Sequence, residues 1–313
     1  MTTPLATIIV PGRDIAAYAP AAIASLRAQT EPRWRAILVD DGSSDDTGAV
    51  FARAATDDAR FRLVQHDAPR GLGAARNAGL GLVDTPYLGF LDADDELTPT
   101  ALARLLGTLE RTGSDFVAGA YVRTRPQGDH YVPGRVQPWV AASTDPERLA
   151  TTLTAHPAAS GNIVAWSKLS RTDFWAHRRF PEGVAYEDQI IAQEMYTQAR
   201  AFDVIPDVVA HWRVRSEGTS ITQSKNQLPV LRDYLEALRG GLDVLRRAGA
   251  SDAATARIAL ILSMDLPALD DIAHTHPDPA YAQELAAFRA ELLALPEAAA
   301  AHPDPALRAG LSW

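Results

Sequence analysis

Tyr87-Leu-Gly-Phe-Leu-Asp92-Ala-Asp94-Asp95-Glu96 is the stretch from which this chain is best read. Tyr87 to Leu91 is an apolar run of strand length, and it ends abruptly in the carboxylates of Asp92, Asp94 and Asp95. Burying an unpaired carboxylate costs several kcal/mol, so a cluster at a strand end implies a counter-charge. Hard divalent cations prefer oxygen ligands, and Mn2+ or Mg2+ commonly bridges one or two carboxylates to substrate phosphates. An acidic turn capping a helix that begins near Thr98-Pro99 would account for the same residues, since carboxylates favour a helix N-terminus.

Outward from this stretch the elements alternate. Ala6-Thr-Ile-Ile-Val10 reads as a strand closed by Pro11-Gly12, and Ala17 to Gln29 has helical spacing with Pro20 in its first turn. Arg35 to Val39 is a second strand, stopping at Asp40-Asp41-Gly42-Ser43-Ser44, and Asp45-Asp46-Thr47 opens a helix to about Ala55. Phe61 to Gln65 is a third strand, and Gly71 to Leu82 is a glycine-punctuated loop entering a helix. This alternation predicts an α/β fold, Rossmann-like, with a mostly parallel twisted sheet and helices on both faces. Ligands in such sheets bind beyond the carboxyl ends of the strands. The polar clusters at 11–14, 40–44 and 92–96 should therefore open onto one edge.

Asp115 to Arg123 reads as a further strand, and the Pro/Gly-rich segment after Thr124 as a loop or hairpin. Leu228, Leu231, Leu235, Leu238, Leu242 and Leu245 recur at helical spacing. Helices at about 251–273, broken near Pro267, and 279–295 follow. The expected division is a catalytic domain over 1–225 and an α-helical C-terminal extension over 226–313.

The 313 residues are 47% hydrophobic, ample for a packed core, and carry a formal net charge of −9. That balance argues against a general nucleic-acid partner or an anionic-membrane binder, so an anionic substrate needs a local arginine patch or a metal. With no cysteine, a disulfide framework, a thiol nucleophile and a cysteine-zinc site are excluded. No signal peptide or apolar run long enough for a transmembrane segment is read, and the expected compartment is cytoplasmic, with a peripheral place at the inner face of the membrane as an option.

Four segments together carry a resemblance: Ile8-Ile-Val-Pro11, Val39 to Thr47, Gly73-Ala-Ala-Arg76-Asn77-Ala-Gly79, and Phe90 to Asp95. Their order and spacing resemble the family 2 glycosyltransferases, inverting GT-A-fold enzymes that use nucleotide-diphospho-sugars. Tyr186-Glu187-Asp188-Gln189 and the run from His211 through Arg213 and Arg215 to Thr222 continue it. Gly12-Arg13-Asp14 departs from the family pattern, in which a small residue, Tyr and Asn are commoner.

The resemblance implies roles. Asp188 is the catalytic base that takes the acceptor proton, although Glu187-Asp188 alone would read as a solvated helix start. Asp94, Asp92 and His211 are the implied metal ligands, His211 having a packed position beside Trp212 as its alternative. Pro11, Arg13, Asp14 and Asp41 should line the nucleotide pocket, with Asp41 accepting from a uracil-type base or serving as a helix cap. Arg76 and Asn77 suit an anionic or ribose group at a helix start, while a surface ion pair is the plainer reading of Arg76. Glu187, Arg213 and Arg215 complete the donor side, the arginines leading into a Gly/Ser/Thr loop that resembles the segment closing over the diphosphate.

The implied reaction is metal-dependent transfer, with Mn2+ or Mg2+, from a nucleotide-diphospho-sugar, UDP-sugar being the family's commonest donor. The acceptor would be a hydroxyl on a carbohydrate or polyol-phosphate polymer. The run 211–222 also resembles enzymes that decorate bacterial wall or capsule polymers. A homo-oligomer could form through the C-terminal helices. A dinucleotide-binding oxidoreductase fails, because Gly71-x-Gly73 has Arg76 at its third glycine position and follows the third strand. A glycoside hydrolase also uses paired carboxylates but has no need of the 40–47 segment. A catalytically degenerate sugar-nucleotide-binding module is the alternative of a different class, and loss of Asp94 or Asp188 would be its mark.

Overall fold

The computed structural model describes residues 3–128, 130–215 and 224–304. Four parallel strands form its N-terminal half: β1 (Ala6–Gly12), β2 (Trp34–Asp40), β3 (Phe61–Gln65) and β4 (Tyr87–Phe90), in the order β3-β2-β1-β4. Helices α1 (Ala19–Arg27), α2 (Thr47–Asp57) and α3 (Leu72–Leu80) connect them. β1 is apolar almost throughout because it is covered on both faces; Ile8, Ile9 and Val10 are all buried.

Beyond β4 the sheet is mixed, where the sequence predicts a mostly parallel one. The strands are β5 (Glu96–Leu97), β6 (Phe116–Gln127), β7 (His130–Val136), β8 (Arg148–Thr151), β9 (Lys168–Arg171) and β10 (Phe202–Arg213). β9 inserts antiparallel between β4 and β6; β10 runs parallel to β6 and carries β5 antiparallel on its far side. β7 folds back on β6 as a hairpin, and β8 pairs with β10. Helices α4 (Ala101–Thr112), α5 (Pro138–Thr144) and α6 (Asp188–Gln198) pack around this half.

Main-chain bonds draw three strand ends into one line. Gly12 pairs with Asp40 in the β1–β2 register, Asp41 N donates to Gly12 O at 3.0 Å, and Ala93 N donates to Pro11 O at 3.2 Å. The clusters at 11–14, 40–44 and 92–96 thus share one edge, as expected. Gly42 makes the turn after β2 with φ 65°, and a Cβ there would lie 2.6 Å from the Ala68 carbonyl carbon.

The last quarter is helical: α7 (Leu228–Arg247), α8 (Ser251–Leu260), α9 (Leu266–Ala273) and α10 (Pro279–Leu293). Leu231, Leu235, Leu238 and Leu242 on α7 pack with Leu285 and Phe288 of α10 in a second buried cluster, whereas Leu245 joins the cluster around the sheet. Each buried leucine contributes about 1.5–3 kcal/mol. The break expected near Pro267 is a π turn over Ile261–Asp265. Proline has no N–H to donate one turn back, so the helix widens just before it. No helix among the described residues is long and apolar enough to cross a membrane.

Candidate active site

The first two strand-end loops are laced together. Ser44 donates to Asp14 Oδ1 from its N–H (2.8 Å) and its hydroxyl (3.0 Å), while Asp14 N donates to Ser43 Oγ at 3.1 Å. Asp14 has a positive φ of 49°, and the Ser44 amide holds its carboxyl below the usual range. Asp14 therefore braces the loop, with exposed Arg13 3.5 Å away. Asp41 is buried and organises the approach to α3. Its Oδ1 lies 2.7 Å from His66 Nδ1 and accepts from Arg70 N at 2.9 Å; Oδ2 accepts from Gly71 N at 2.8 Å. A carboxylate has about four acceptor positions, so Oδ2 retains capacity for a donor group of a ligand.

A buried arginine ties the third loop to α6. Arg76 is 1% exposed; its Nη2 donates to Asp92 Oδ1 at 2.7 Å and its Nη1 pairs closely with Glu187 Oε1. Gly73 allows this placement, because a Cβ there would collide with the Pro181 carbonyl of the segment leading to α6. Asp188 is the first residue of α6. Burial pushes its carboxyl up to about 6, against the opposing pull of Arg76, and burial raises Glu187 and Asp92 in the same way. Behind Asp188 a cavity of about 10 Å³ is lined by Lys168, whose ammonium donates to Asn162 O, Asn162 Oδ1 and Val164 O. Desolvation brings that lysine down to about 7.

Carboxylate oxygens of Asp92, Asp94 and Asp95 lie within 4.8 Å of one another. Three hard oxygen donors match a divalent cation such as Mg2+ or Mn2+, so the residues fit that group. Arginines balance them: Arg215 Nε and Nη2 reach Asp94 Oδ2 at 2.8 and 2.7 Å. Asp95, absent from the expected ligands, is buried, and desolvation with its two acidic neighbours raises its carboxyl strongly.

One cleft of about 690 Å³ collects the strand-end residues Pro11, Arg13, Asp14 and Asp41. It also collects Arg76, Asp92, Asp94, Glu187, Asp188 and Arg215. Three expected site residues are placed elsewhere. Asn77 clamps the chain before α6, donating to Phe180 O and accepting from Phe180 N, both at 2.9 Å. Arg213 is a buried strut of the acidic turn, bonded to Asp94 O, Tyr18 O and Glu96 and taking Asp95 Oδ1 on its N–H at 2.8 Å. His211 faces Glu96 across the β10–β5 register, half-buried, and belongs neither to the cleft lining nor to the aspartate group. For Asn77 and Arg213 the polar group is consumed in holding the backbone around the site. The Gly218-Thr-Ser220-Ile-Thr222 loop lies outside the described residues.

The sequence reading missed the far half of the cleft, made by Tyr121, Arg123, Trp166 and Trp212 on one side and Lys225, Tyr234 and Arg257 on the other. Tyr186 joins the halves. It has a positive φ of 59°, a conformation that costs about 1–3 kcal/mol outside glycine, and its ring packs at a tilt against Tyr234 of α7, 4.3 Å between centroids. The helical extension therefore holds the turn that presents Glu187 and Asp188.

A family model described as Glycosyl transferase family 2 matches residues 7–171. The chain is 34% identical over 134 residues to the uncharacterized glycosyltransferase EpsJ of Bacillus subtilis (strain 168), covering 43% of this chain and 39% of that protein. It spans only 31–39% of the length of the curated relatives matched first. Among solved structures, S. aureus TarS 1-349 in complex with UDP superposes with a TM-score of 0.65 at 18% identity, over 83% of this chain and 72% of that one. The mannosyltransferase PcManGT from Pyrobaculum calidifontis, in complex with GDP-Man and Mn2+, gives 0.56 at 18% identity, over 98% and 85%. At these identities the superpositions establish the fold, the GT-A type. With more than half of its 313 residues matched, the chain belongs to glycosyl transferase family 2.

Proposed function

We propose that the chain transfers a sugar, with inversion, from a nucleotide-diphospho-sugar to an acceptor hydroxyl. The observation that carries this reading is the meeting of carboxylates from three distant segments in one cleft: Asp41 after β2, Asp92 to Asp95 after β4, and Asp188 at the start of α6. Asp41, Pro11 and Arg13 take the nucleotide, and Arg215 stands beside Asp94 where a diphosphate would bring negative charge. Asp92, Asp94 and Asp95 would hold Mn2+ or Mg2+. Such an ion supplies charge stabilisation to a departing diphosphate without a proton donor.

Asp188 takes the acceptor proton. Its carboxyl, raised to about 6, is ionised at neutral pH yet basic enough to accept a proton in the transition state. Arg76 favours the charged forms of Glu187 and Asp92 against the opposing effect of burial, and fixes both carboxylates in place. UDP is the nucleotide favoured by the family resemblance and by the UDP-bound TarS of the same fold. The acceptor side suits a carbohydrate or polyol-phosphate polymer. We assign donor handling to 1–225 and completion of the cleft to 226–313, and we place the protein in the cytoplasm, where nucleotide sugars are made.

A panel of nucleotide sugars screened by thermal shift, with and without Mn2+, tests the donor, since a bound ligand raises stability by mass action. Asp188→Asn should bind the donor as the wild type does and lose transfer by about 10²–10⁴-fold. Unchanged transfer would remove Asp188 as the base, and UDP binding with no turnover of any sugar would make the chain a binding module.

A further inference from the structure

Lys168 is a buried charge that takes no part in holding donor, metal or proton. β9 carries it into the middle of the sheet, opposite Ala118 of β6, where it is 4% exposed. An ammonium this far from water is costly, and a methionine would fill the same space without that cost. All three of its N–H donors are taken, by Asn162 O at 2.8 Å, Asn162 Oδ1 at 3.0 Å and Val164 O at 2.7 Å. Only the charged amine has three hydrogens to give. These bonds therefore favour the ammonium against burial, which draws it down to about 7.

One amine thus grips the chain on both sides of a single residue, Ile163. That residue faces two spaces. It lines the cleft together with Gly161, Val164 and Asp188, and it lines the small cavity behind Asp188 together with Lys168. Helix α6, which begins with Asp188, adds two fastenings: Gln193 Nε2 donates to Ser160 O at 2.9 Å, and the Tyr196 hydroxyl donates to Asn162 O at 3.2 Å. The carboxylate and the wall beside it are built on one frame, and Lys168 ties that frame to the sheet. Burial raises the Asp188 carboxyl, while Arg76 and, more weakly, Lys168 oppose the rise.

Resting on the sugar-transfer reading, we infer that Lys168 is a positioning residue for the transfer step: it fixes the turn 161–164 as a rigid wall beside Asp188, against which the acceptor is held with its hydroxyl towards the carboxylate. Lys168 does not itself line the cleft and acts through Ile163 and Val164. Its influence falls on transfer and not on nucleotide binding. Pro11, Arg13 and Asp41 follow β1 and β2, which lie on the other side of β4 from β9.

The test compares Lys168→Met with the wild-type full chain. Release of nucleoside diphosphate from UDP-glucose, UDP-N-acetylglucosamine and GDP-mannose is followed with glucose, glycerol and glycerol 3-phosphate as acceptor probes, and UDP binding with Mn2+ is titrated by calorimetry. For whichever pair the wild type uses, kcat should fall about 10–100-fold, with the UDP Kd and the donor KM held within about twofold. Amide exchange over 160–166 should quicken while that over 36–41 does not. A general strut would instead lower kcat and UDP affinity together, or lower kcat only as far as the folded fraction falls; either result overturns the inference. Asn162→Ala removes one of the three oxygens and leaves the lysine. It should show the same split at smaller size, and it carries the test if Lys168→Met does not fold; an unchanged kcat would then overturn the inference. A wild type that turns over none of these sugars rejects the transfer reading and the inference with it, whereas an active wild type with an equally active Lys168→Met rejects the inference alone.

Discussion

Replacing Arg76 by methionine tests the electrostatic logic of the site most directly. The substitution keeps an apolar side chain beside the rings of Phe90 and Phe180 but removes the guanidinium that pairs with both Asp92 and Glu187 at the buried α3–α6 junction. Breaking a buried pair in this way costs about 3–5 kcal/mol, because the remaining charge is left uncompensated. The loss should depend on pH. Glu187 and Asp188 already have folded values raised to about 7 and about 6, above their unfolded ones. A carboxyl raised on folding destabilises the protein when ionised, and this penalty disappears as pH falls through the folded value. Without Arg76 those values rise further, so Arg76→Met should regain stability relative to the wild type between pH 7.5 and 5.5. The gain is about 1.4 kcal/mol for each pH unit over which one extra proton is bound. Urea unfolding in EDTA at both pH values measures it. A loss below about 1 kcal/mol, or one equal at both pH values, would refute the reasoning.

Three further outcomes are expected. Asp94→Ala should abolish the Mn2+-dependent part of UDP binding in a titration, and undiminished Mn2+-dependent binding would exclude Asp94 as a ligand. The kcat/KM for transfer should fall about tenfold per pH unit below about 6, as Asp188 becomes protonated and can no longer accept a proton; a flat profile from pH 5 to 7 would count against it. Asn77→Ala should cost about 1–3 kcal/mol in urea unfolding through its lost bonds to Phe180, with UDP affinity unchanged. A large loss of UDP affinity with little destabilisation would return Asn77 to the nucleotide.

The sequence was most legible where burial and chemistry leave separate marks. β1, β2 and β4 are covered on both faces and read as largely apolar runs, and each leads into a polar cluster. β9 has no such mark: Lys168-Leu-Ser-Arg171 is polar, and its buried lysine is tolerated only because three oxygens from 162–164 receive it. Arg213 and Asn77 show the limit of residue type as a guide, since a guanidinium or amide that suits a ligand suits an orphaned carbonyl equally well. Lys225, Arg257 and Asp265 carried no local signal. They come from separate turns and helices of the last quarter, and only packing of that quarter against α6 brings them to the cleft.

The contact between Arg215 and Asp94 bears on the order of events. An acidic pocket furnished with its own counter-ion can assemble before any substrate arrives, so folding need not wait for metal. The cost would fall later: an incoming cation would compete with a guanidinium already in place, and that guanidinium would need somewhere to go. A diphosphate offers the destination. Ion and nucleotide would then enter as a couple, each making room for the other, and either one alone would be a poor guest.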